Sequence, residues 1–297
     1  MATPFKSGFI AIIGPPNVGK STLLNTLIGE KVSIVTSKPQ TTRNRILGIK
    51  NLPQGQLIFV DTPGIHPARK KFNVRLVEIA RAALRESDIV LMMVEAPGPI
   101  PEEAFRYAKK SLQEIQKPIL LLINKIDLID KRELLPLIEM YQTLFPFREI
   151  IPVSALTGSG TDELEKSLLN YLPEGPQFFP EDMYTDQTQR FLAAEIIREK
   201  AFMLLQKEIP YSLAVEVREF SERKDAVVFI RASLWVEKQS QKGILIGKEG
   251  RMLREIGRRA RKELEAFLHT KVYLDLWVTV KKGWTLKDAA IRQSLMP

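Results

Sequence analysis

The sequence predicts two domains of different architecture: an α/β domain over residues 1–175, with a mostly parallel sheet covered by helices on both faces, and a smaller α+β domain over 187–281. Three observations carry this. Apolar runs of strand length alternate with stretches of helical spacing through the first half. From about residue 187 the order becomes helix, strand, strand, helix, helix, strand. Between them, residues 171–186 (YLPEGPQFFPEDMYTD) hold three prolines and no periodicity, so 176–186 reads as a linker. A chain of 297 residues agrees with two domains at roughly 150 residues each.

Composition excludes several classes. The chain has no cysteine and two histidines, which removes disulfide frameworks and thiolate metal sites and leaves almost no zinc ligands. A reducing, cytoplasmic setting is expected. The first residues lack the features of a signal peptide, and no apolar run approaches the roughly 18 residues that span a bilayer. The formal charge of +9 points to a polyanionic partner. It is concentrated: between 238 and 262 nine Lys or Arg face only Glu249 and Glu255, a local +7.

Residues 8–13 read as a buried strand and 21–28 as a helix. Between them stands Gly14-Pro15-Pro16-Asn17-Val18-Gly19-Lys20-Ser21, followed by Thr22, a GxxxxGKS pattern in strand–loop–helix context. Such a loop curls so that successive N–H groups face phosphate oxygens, and the helix N-terminus adds partial positive charge. Lys20 is expected to reach the β- and γ-phosphates and Ser21 a Mg²⁺ ion. The polar stretch 31–44 reads as a mobile loop. A threonine there, Thr41 or Thr42, that meets Mg²⁺ only while a γ-phosphate is present would make the loop a switch; Thr42 is the expected ligand.

Strands at 45–51 and 56–60 follow, and the second ends in Asp61-Thr62-Pro63-Gly64. The carboxylate is placed to hold the hydration shell of Mg²⁺, and Gly64 allows its amide close to the γ-phosphate. Ile65 cannot orient or deprotonate water, so the polar help for hydrolysis is assigned to Lys20, Gly64 and Asn17. A helix at 73–86 leads to a strand at 88–94, and a helix at 102–116 leads to a strand at 118–123 that ends in Asn124-Lys125-Ile126-Asp127. The Asp127 carboxylate can accept both the ring N–H and the exocyclic amine of guanine, a donor pair that adenine lacks. A helix at 131–145 and a strand at 149–153 precede Ser154-Ala155-Leu156, whose backbone is placed to meet the guanine O6.

These motifs in this order resemble the Ras-like GTPase domain, and the resemblance covers about residues 6–171. Asn17, the Thr-Thr-Arg of 41–43 and the apolar Ile65 look like the branch that holds the Era-type and tRNA-modification GTPases. For that branch the resemblance implies GTP and GDP as ligands, slow intrinsic hydrolysis, no catalytic glutamine, and a K⁺ ion held partly by the residue at Asn17. From the residue itself, an asparagine that hydrogen-bonds its own loop is an equal alternative.

The second half carries a helix at 187–206, strands at 211–220 and 226–237 joined by a turn at 221–225, a short helix at 241–246, the tetrapeptide Gly247-Lys248-Glu249-Gly250, a helix at 251–269 and a strand at 271–280. This order resembles the bacterial, type II KH domain. A GxxG loop between two helices lets the backbone approach single-stranded nucleic acid and clamp about four nucleotides. Ile244, Leu245 and Ile246 are placed to floor the groove, and Lys248, Arg251, Arg254, Arg258, Arg259, Arg261 and Lys262 to meet phosphates. The tail, 282–297, either extends that surface or packs on the last strand. His66 and His269 are assigned structural roles.

A GTPase domain of this branch followed by one KH domain resembles the Era family along essentially the whole chain. The resemblance implies a GTP-controlled switch on single-stranded RNA, the 3′ end region of 16S ribosomal RNA, acting in assembly of the small (30S) ribosomal subunit. It also implies peripheral association with the cytoplasmic membrane; a monomer is expected. The alternative is a GTP-dependent membrane or cell-division switch whose basic domain meets lipid or protein. A tRNA-modifying enzyme is disfavoured, because the chain has neither a cysteine-bearing tail nor a folate-type domain.

Overall fold

The structure, a computed structural model, describes residues 4–39, 41–64, 71–98, 105, 109–110, 112–223 and 226–295. Its contacts divide the chain into two compact units. The first comprises 1–33, 42–69 and 73–186; the second comprises 187–297 together with the short segments 34–41 and 70–72.

In the first unit, β1 (Lys6–Ile13), β2 (Ile46–Leu52), β3 (Gly55–Asp61), β4 (Ile89–Glu95), β5 (Ile119–Asn124) and β6 (Glu149–Pro152) form one sheet in the order β2-β3-β1-β4-β5-β6. Among the described residues only β2 runs antiparallel in this sheet, against β3. The central strands carry long apolar runs because both faces are covered: Ile10 to Ile13, Leu57 to Phe59 and Leu120 to Ile123 are fully buried. Helices α1 (Lys20–Ile28), α2 (Lys71–Glu86), α3 (Lys131–Leu144) and α4 (Thr161–Tyr171) are described in full. Of the helix expected at 102–116, residues 105, 109–110 and 112–113 are helical, and seven of the fifteen positions lie outside the described residues. Strand order changes direction at β1, with β3 on one side and β4 on the other, so a crevice opens beyond the carboxyl ends of these strands.

The linker is strapped to this unit rather than free. The Gln56 amide accepts from the amides of Phe178 and Phe179 at 2.9 and 3.0 Å and donates to the Phe179 carbonyl at 2.8 Å. Edge strand β2 is covered in turn: the Ile49 amide donates to the Tyr184 carbonyl at 2.9 Å and the Thr185 hydroxyl to the Leu47 carbonyl at 2.7 Å. A glutamine buried in a strand needs such partners.

In the second unit, α5 (Gln189–Leu204), β7 (Ala214–Arg223), β8 (Val227–Val236), α6 (Gln239–Ile246), α7 (Arg251–Leu268) and β9 (Lys271–Val280) follow the expected order. The sheet is β7-β8-β9, with β8 antiparallel to β7 and parallel to β9. Its core joins Ile197 and Ala201 of α5, Ile230 and Leu234 of β8, and Ile256, Ala260 and Leu264 of α7. The spacing of the last three, four residues apart, turns one stripe of α7 inward and leaves its arginines outside.

The tail does not extend the basic surface as a free segment. Trp284 is fully buried, its indole N–H donates to the Ser212 carbonyl at 2.9 Å, and its ring packs edge-on to Trp235 at 6.3 Å before a final helix, α8 (Asp288–Leu295). Trp284→Ala is therefore expected to cost about 3–5 kcal/mol, as large aromatic truncations in cores do. Denaturant unfolding of the full chain checks this, and a loss under about 1 kcal/mol would place the tail outside the core. Among the described residues no helix is long and apolar enough to cross a membrane.

Candidate functional site

The loop between β1 and α1 forms as its glycines require. Gly19 has φ 101°, and a Cβ there would stand 2.3 Å from the side-chain amide nitrogen of Asn124, so any larger residue would push the loop off β5. Asn124 ties the two motifs together: its Nδ2 donates to the Val18 carbonyl at 2.7 Å and its Oδ1 accepts from the Ala155 amide at 2.8 Å. No side chain caps α1, which leaves its first amides available to an anion. Pro15, Pro16 and Thr22 are half-buried along the loop and first turn, and Val18 is buried beneath it. Asn17 is exposed with φ 64°, a left-handed conformation that asparagine tolerates.

Lys20 is buried, and its ammonium donates to the carbonyls of Gly14 at 3.0 Å and Pro15 at 2.8 Å. Burial lowers its pKa to about 8, against the opposing pull of Asp61. A polyphosphate beside the ammonium would raise that value again. Nucleotide binding at about pH 8.5 is therefore expected to take up a proton, and affinity to fall as pH rises through about 8. Calorimetry in buffers of different ionisation heat checks this; no proton uptake would leave Lys20 away from the phosphates.

The oxygen cluster assigned to Mg²⁺ is assembled. Ser21 Oγ donates to Asp61 Oδ2 at 2.7 Å and lies 3.0 Å from Thr42 Oγ1, while Thr42 Oγ1 itself lies 3.4 Å from Asp61 Oδ2. Asp61 is fully buried at the end of β3; burial raises its carboxyl pKa, opposed by these hydroxyls and Lys20. Its Oδ1 has no hydrogen-bond partner among the described residues. An orphaned carboxylate oxygen beside two hydroxyls suits a hard cation that prefers oxygen ligands and keeps part of its water shell. Thr62 is buried, with its hydroxyl on the Ile12 carbonyl at 3.0 Å, and Pro63 and Gly64 continue past the loop. Ile65 and His66 lie outside the described residues.

Two contributors were not legible in the sequence. Ser33, buried within the stretch read as a mobile loop, donates to Asp61 Oδ2 at 2.8 Å. Asn25 of α1 fixes that stretch, accepting from the amides of Val32 and Ser33 at 3.0 and 2.9 Å and donating to the Ser33 carbonyl at 2.8 Å. The only signal was the position of Asn25, one helical turn beyond Ser21. Thr41 belongs to the second unit, where its hydroxyl lies 2.7 Å from that of Thr36.

At the base-binding end, Asp127 follows Lys125, whose φ of 64° turns the chain and whose ammonium pairs with Glu95. Ser154 is buried, and its hydroxyl donates to Asp127 Oδ1 at 2.5 Å, so the side chain of this residue, and not only its backbone, orients the carboxylate expected to meet the base. Ala155 is buried, while Leu156 is 77% exposed at the rim.

In the second unit the GxxG loop projects between α6 and α7. Gly247 has φ 73°, and a Cβ there would stand 2.8 Å from Met252 Cβ. Glu249 has φ 53° and Gly250 φ 75°. Lys248, Glu249, Arg251 and Arg254 are exposed around the loop. Ile244 is exposed and Ile246 half-buried beside it. Leu245 corrects the expectation for the groove floor: it is fully buried in the core. Arg258 and Arg259 both bind Glu255, at 2.8 and 2.6 Å, and hydrogen bonds from Arg258 and then Arg259 hold that carboxyl down to about 2. A phosphate would have to compete for them. Arg251 pairs with Glu249 at 3.2 Å, and Arg254 donates to the Glu249 carbonyl.

A family model described as 50S ribosome-binding GTPase matches residues 9–125, and one described as KH domain matches residues 208–285. The GTPase Era of Syntrophus aciditrophicus is 54% identical over 97% of this chain and 94% of its own length; that of Geobacter metallireducens is 51% identical over 98% and 97%. The chain belongs to the Era family of GTPases. Two solved Era structures match over nearly all of both chains with 45% identity and a TM-score of 0.94. One, an Aquifex aeolicus Era variant bound to GDP·AlF4⁻, covers 97% of this chain and 98% of its own. The other, Era in complex with MgGDPNP and nucleotides 1506–1542 of 16S ribosomal RNA, covers 98% of each. The Era family assignment makes this chain a P-loop GTP hydrolase with a C-terminal KH domain.

Proposed function

We propose that this GTPase is a GTP-controlled clamp on single-stranded RNA of the small ribosomal subunit, the 3′ end region of its ribosomal RNA, and that it assists assembly of that subunit. The observation that carries the reading is the match to the Era structure that holds both a GTP analogue with Mg²⁺ and this RNA, at 45% identity over 98% of each chain. The exposed GxxG loop, with Lys248, Arg251 and Arg254 around it, agrees with such a partner. Full-length protein incubated with an RNA of that region, in GTP-analogue and GDP states, should bind it more tightly in the first. Binding to anionic vesicles in preference to RNA would favour the membrane switch instead.

In the catalytic cycle, Asp127 accepts the guanine donors, the loop 14–19 presents backbone amides to the phosphates, and Lys20 exchanges two carbonyls for phosphate oxygens. Ser21, Thr42 and Asp61 would hold Mg²⁺, which when bound neutralises charge developing on the transferred phosphoryl group. Thr42 joins the other two only while the 31–44 stretch is ordered. Water activation falls on positioning and backbone rather than on a side chain at Ile65. Ile65→Ala is accordingly expected to leave turnover within about tenfold, roughly 1.4 kcal/mol or less, while Thr42→Ala loses about 100-fold. Equal losses in single-turnover assays would contradict this division of labour.

A further inference from the structure

The second unit contains one short segment of the switch stretch, residues 34–41, and α5 grips it by side chains that the GTPase chemistry does not otherwise use. Arg198, 3% exposed, donates from Nη2 to the Thr41 carbonyl at 2.6 Å and forms a two-pronged pair with Glu195, itself 6% exposed, at 2.7 and 2.5 Å. Glu199 accepts from the Val35 amide at 2.9 Å, and the Lys38 ammonium donates to the carbonyls of Phe202 and Leu205 at the end of α5. The same helix reaches the RNA-binding helix: Lys200 binds Glu199 at 2.7 Å and pairs with Glu263 of α7. Burying an ion pair in this way costs desolvation and is weak evidence for a role in stability alone.

We propose that the Glu195–Arg198 pair is a positioning device for GTP hydrolysis, through which the RNA-binding unit sets the conformation of the metal-binding threonine. The physical link is covalent and stiff. The Thr41 carbonyl held by Arg198 lies in the planar peptide group that also carries the amide nitrogen and Cα of Thr42. Fixing that oxygen leaves the Thr42 hydroxyl little freedom other than rotation about its own bonds. Because coupling between sites is reciprocal, whatever favours the gripped loop favours the helix arrangement that grips it, by a factor typically of roughly 5–150. The proposal rests on the assignment of Thr42 to Mg²⁺, and it deepens the RNA-switch reading by naming a residue pair that holds the 34–41 segment next to that threonine in the chain.

The test uses the full chain in three forms: native, Arg198→Lys, and the double variant Glu195→Met with Arg198→Met, which removes both charges and keeps the volume. Circular dichroism and thermal unfolding establish that each is folded. The double variant should lower kcat for GTP about tenfold, within the coupling range above, and leave GDP affinity unchanged, since GDP makes no demand on Thr42. Arg198→Lys, which keeps the charge but can bridge only one partner at a time, should fall between. Ser37→Cys, at an exposed position of a cysteine-free chain, takes a fluorophore that should report GTP-dependent ordering in the otherwise native form and lose it in the double variant. A folded double variant with native kcat and native ordering overturns the proposal. So does an equal loss of GTP and GDP affinity, which would signal damage to the nucleotide site. Failure of the native protein to bind RNA would sink the RNA reading while these hydrolysis and ordering measurements still decide the role of the pair.

Discussion

Asp127→Asn is expected to reduce GTP affinity by about 100- to 10,000-fold and to move preference toward xanthine nucleotides. The carboxylate is placed to accept two guanine donors, and hydrogen bonds to a charged group contribute about 1.5–3 kcal/mol each. Losing one of them and leaving a buried donor unpaired in its place, at about 1–3 kcal/mol more, corresponds to roughly 3–6 kcal/mol, or two to four powers of ten. Asparagine keeps one acceptor but turns an N–H toward a guanine N–H, and a buried donor facing a donor is worse than a lost contact. Xanthine presents a carbonyl where guanine has its amine, so it restores one match. Ser154 holds Asp127 Oδ1 at 2.5 Å and can keep the amide oriented through its oxygen, so the variant side chain stays in place. Competition between GTP and XTP for the full chain measures the exchange; unchanged GTP affinity with XTP still ignored would mean that Asp127 does not read the base.

The double substitution Lys248→Asp with Glu249→Asp is expected to lower RNA affinity about 100-fold, near 3 kcal/mol, while nucleotide binding and intrinsic hydrolysis stay close to native. It sets two carboxylates where a phosphate backbone passes. The fold should tolerate it, because Gly247 and Gly250 keep their left-handed conformations and aspartate is better suited than glutamate to the φ of 53° at residue 249. Loss of one phosphate contact should also flatten the salt dependence by about 0.7 on single strands. Full RNA binding by the folded variant would remove the GxxG loop from the interface and turn attention to lipid.

What was legible in the sequence is local and covalent. GxxxxGKS, DTPG and NKID fall at the ends of strands because glycine conformations, backbone amides and a single carboxylate must occur there in fixed order, and order survives in sequence. The strand expected at 271–280 has these bounds in the structure. Element ends elsewhere moved by a few residues, as at β7, read as 211–220 and found as Ala214–Arg223 after a short 3-10 turn at 210–212. Turn chemistry there competes with strand propensity, and only packing decides between them.

By itself, then, the sequence determined the two architectures, the nucleotide class and the basic loop, since each depends on residue types at short spacing. Only the tertiary structure decided the partners that distance hides. Ser33 and Asn25 completing the Asp61 cluster, Ser154 orienting Asp127, Trp284 closing the second core, and Glu255 occupying Arg258 and Arg259 all follow from which side chains burial leaves facing each other. A buried serine and an exposed one are the same letter. Their difference is the cost of leaving a polar group without a partner once water is gone, and that cost exists only after the chain has folded.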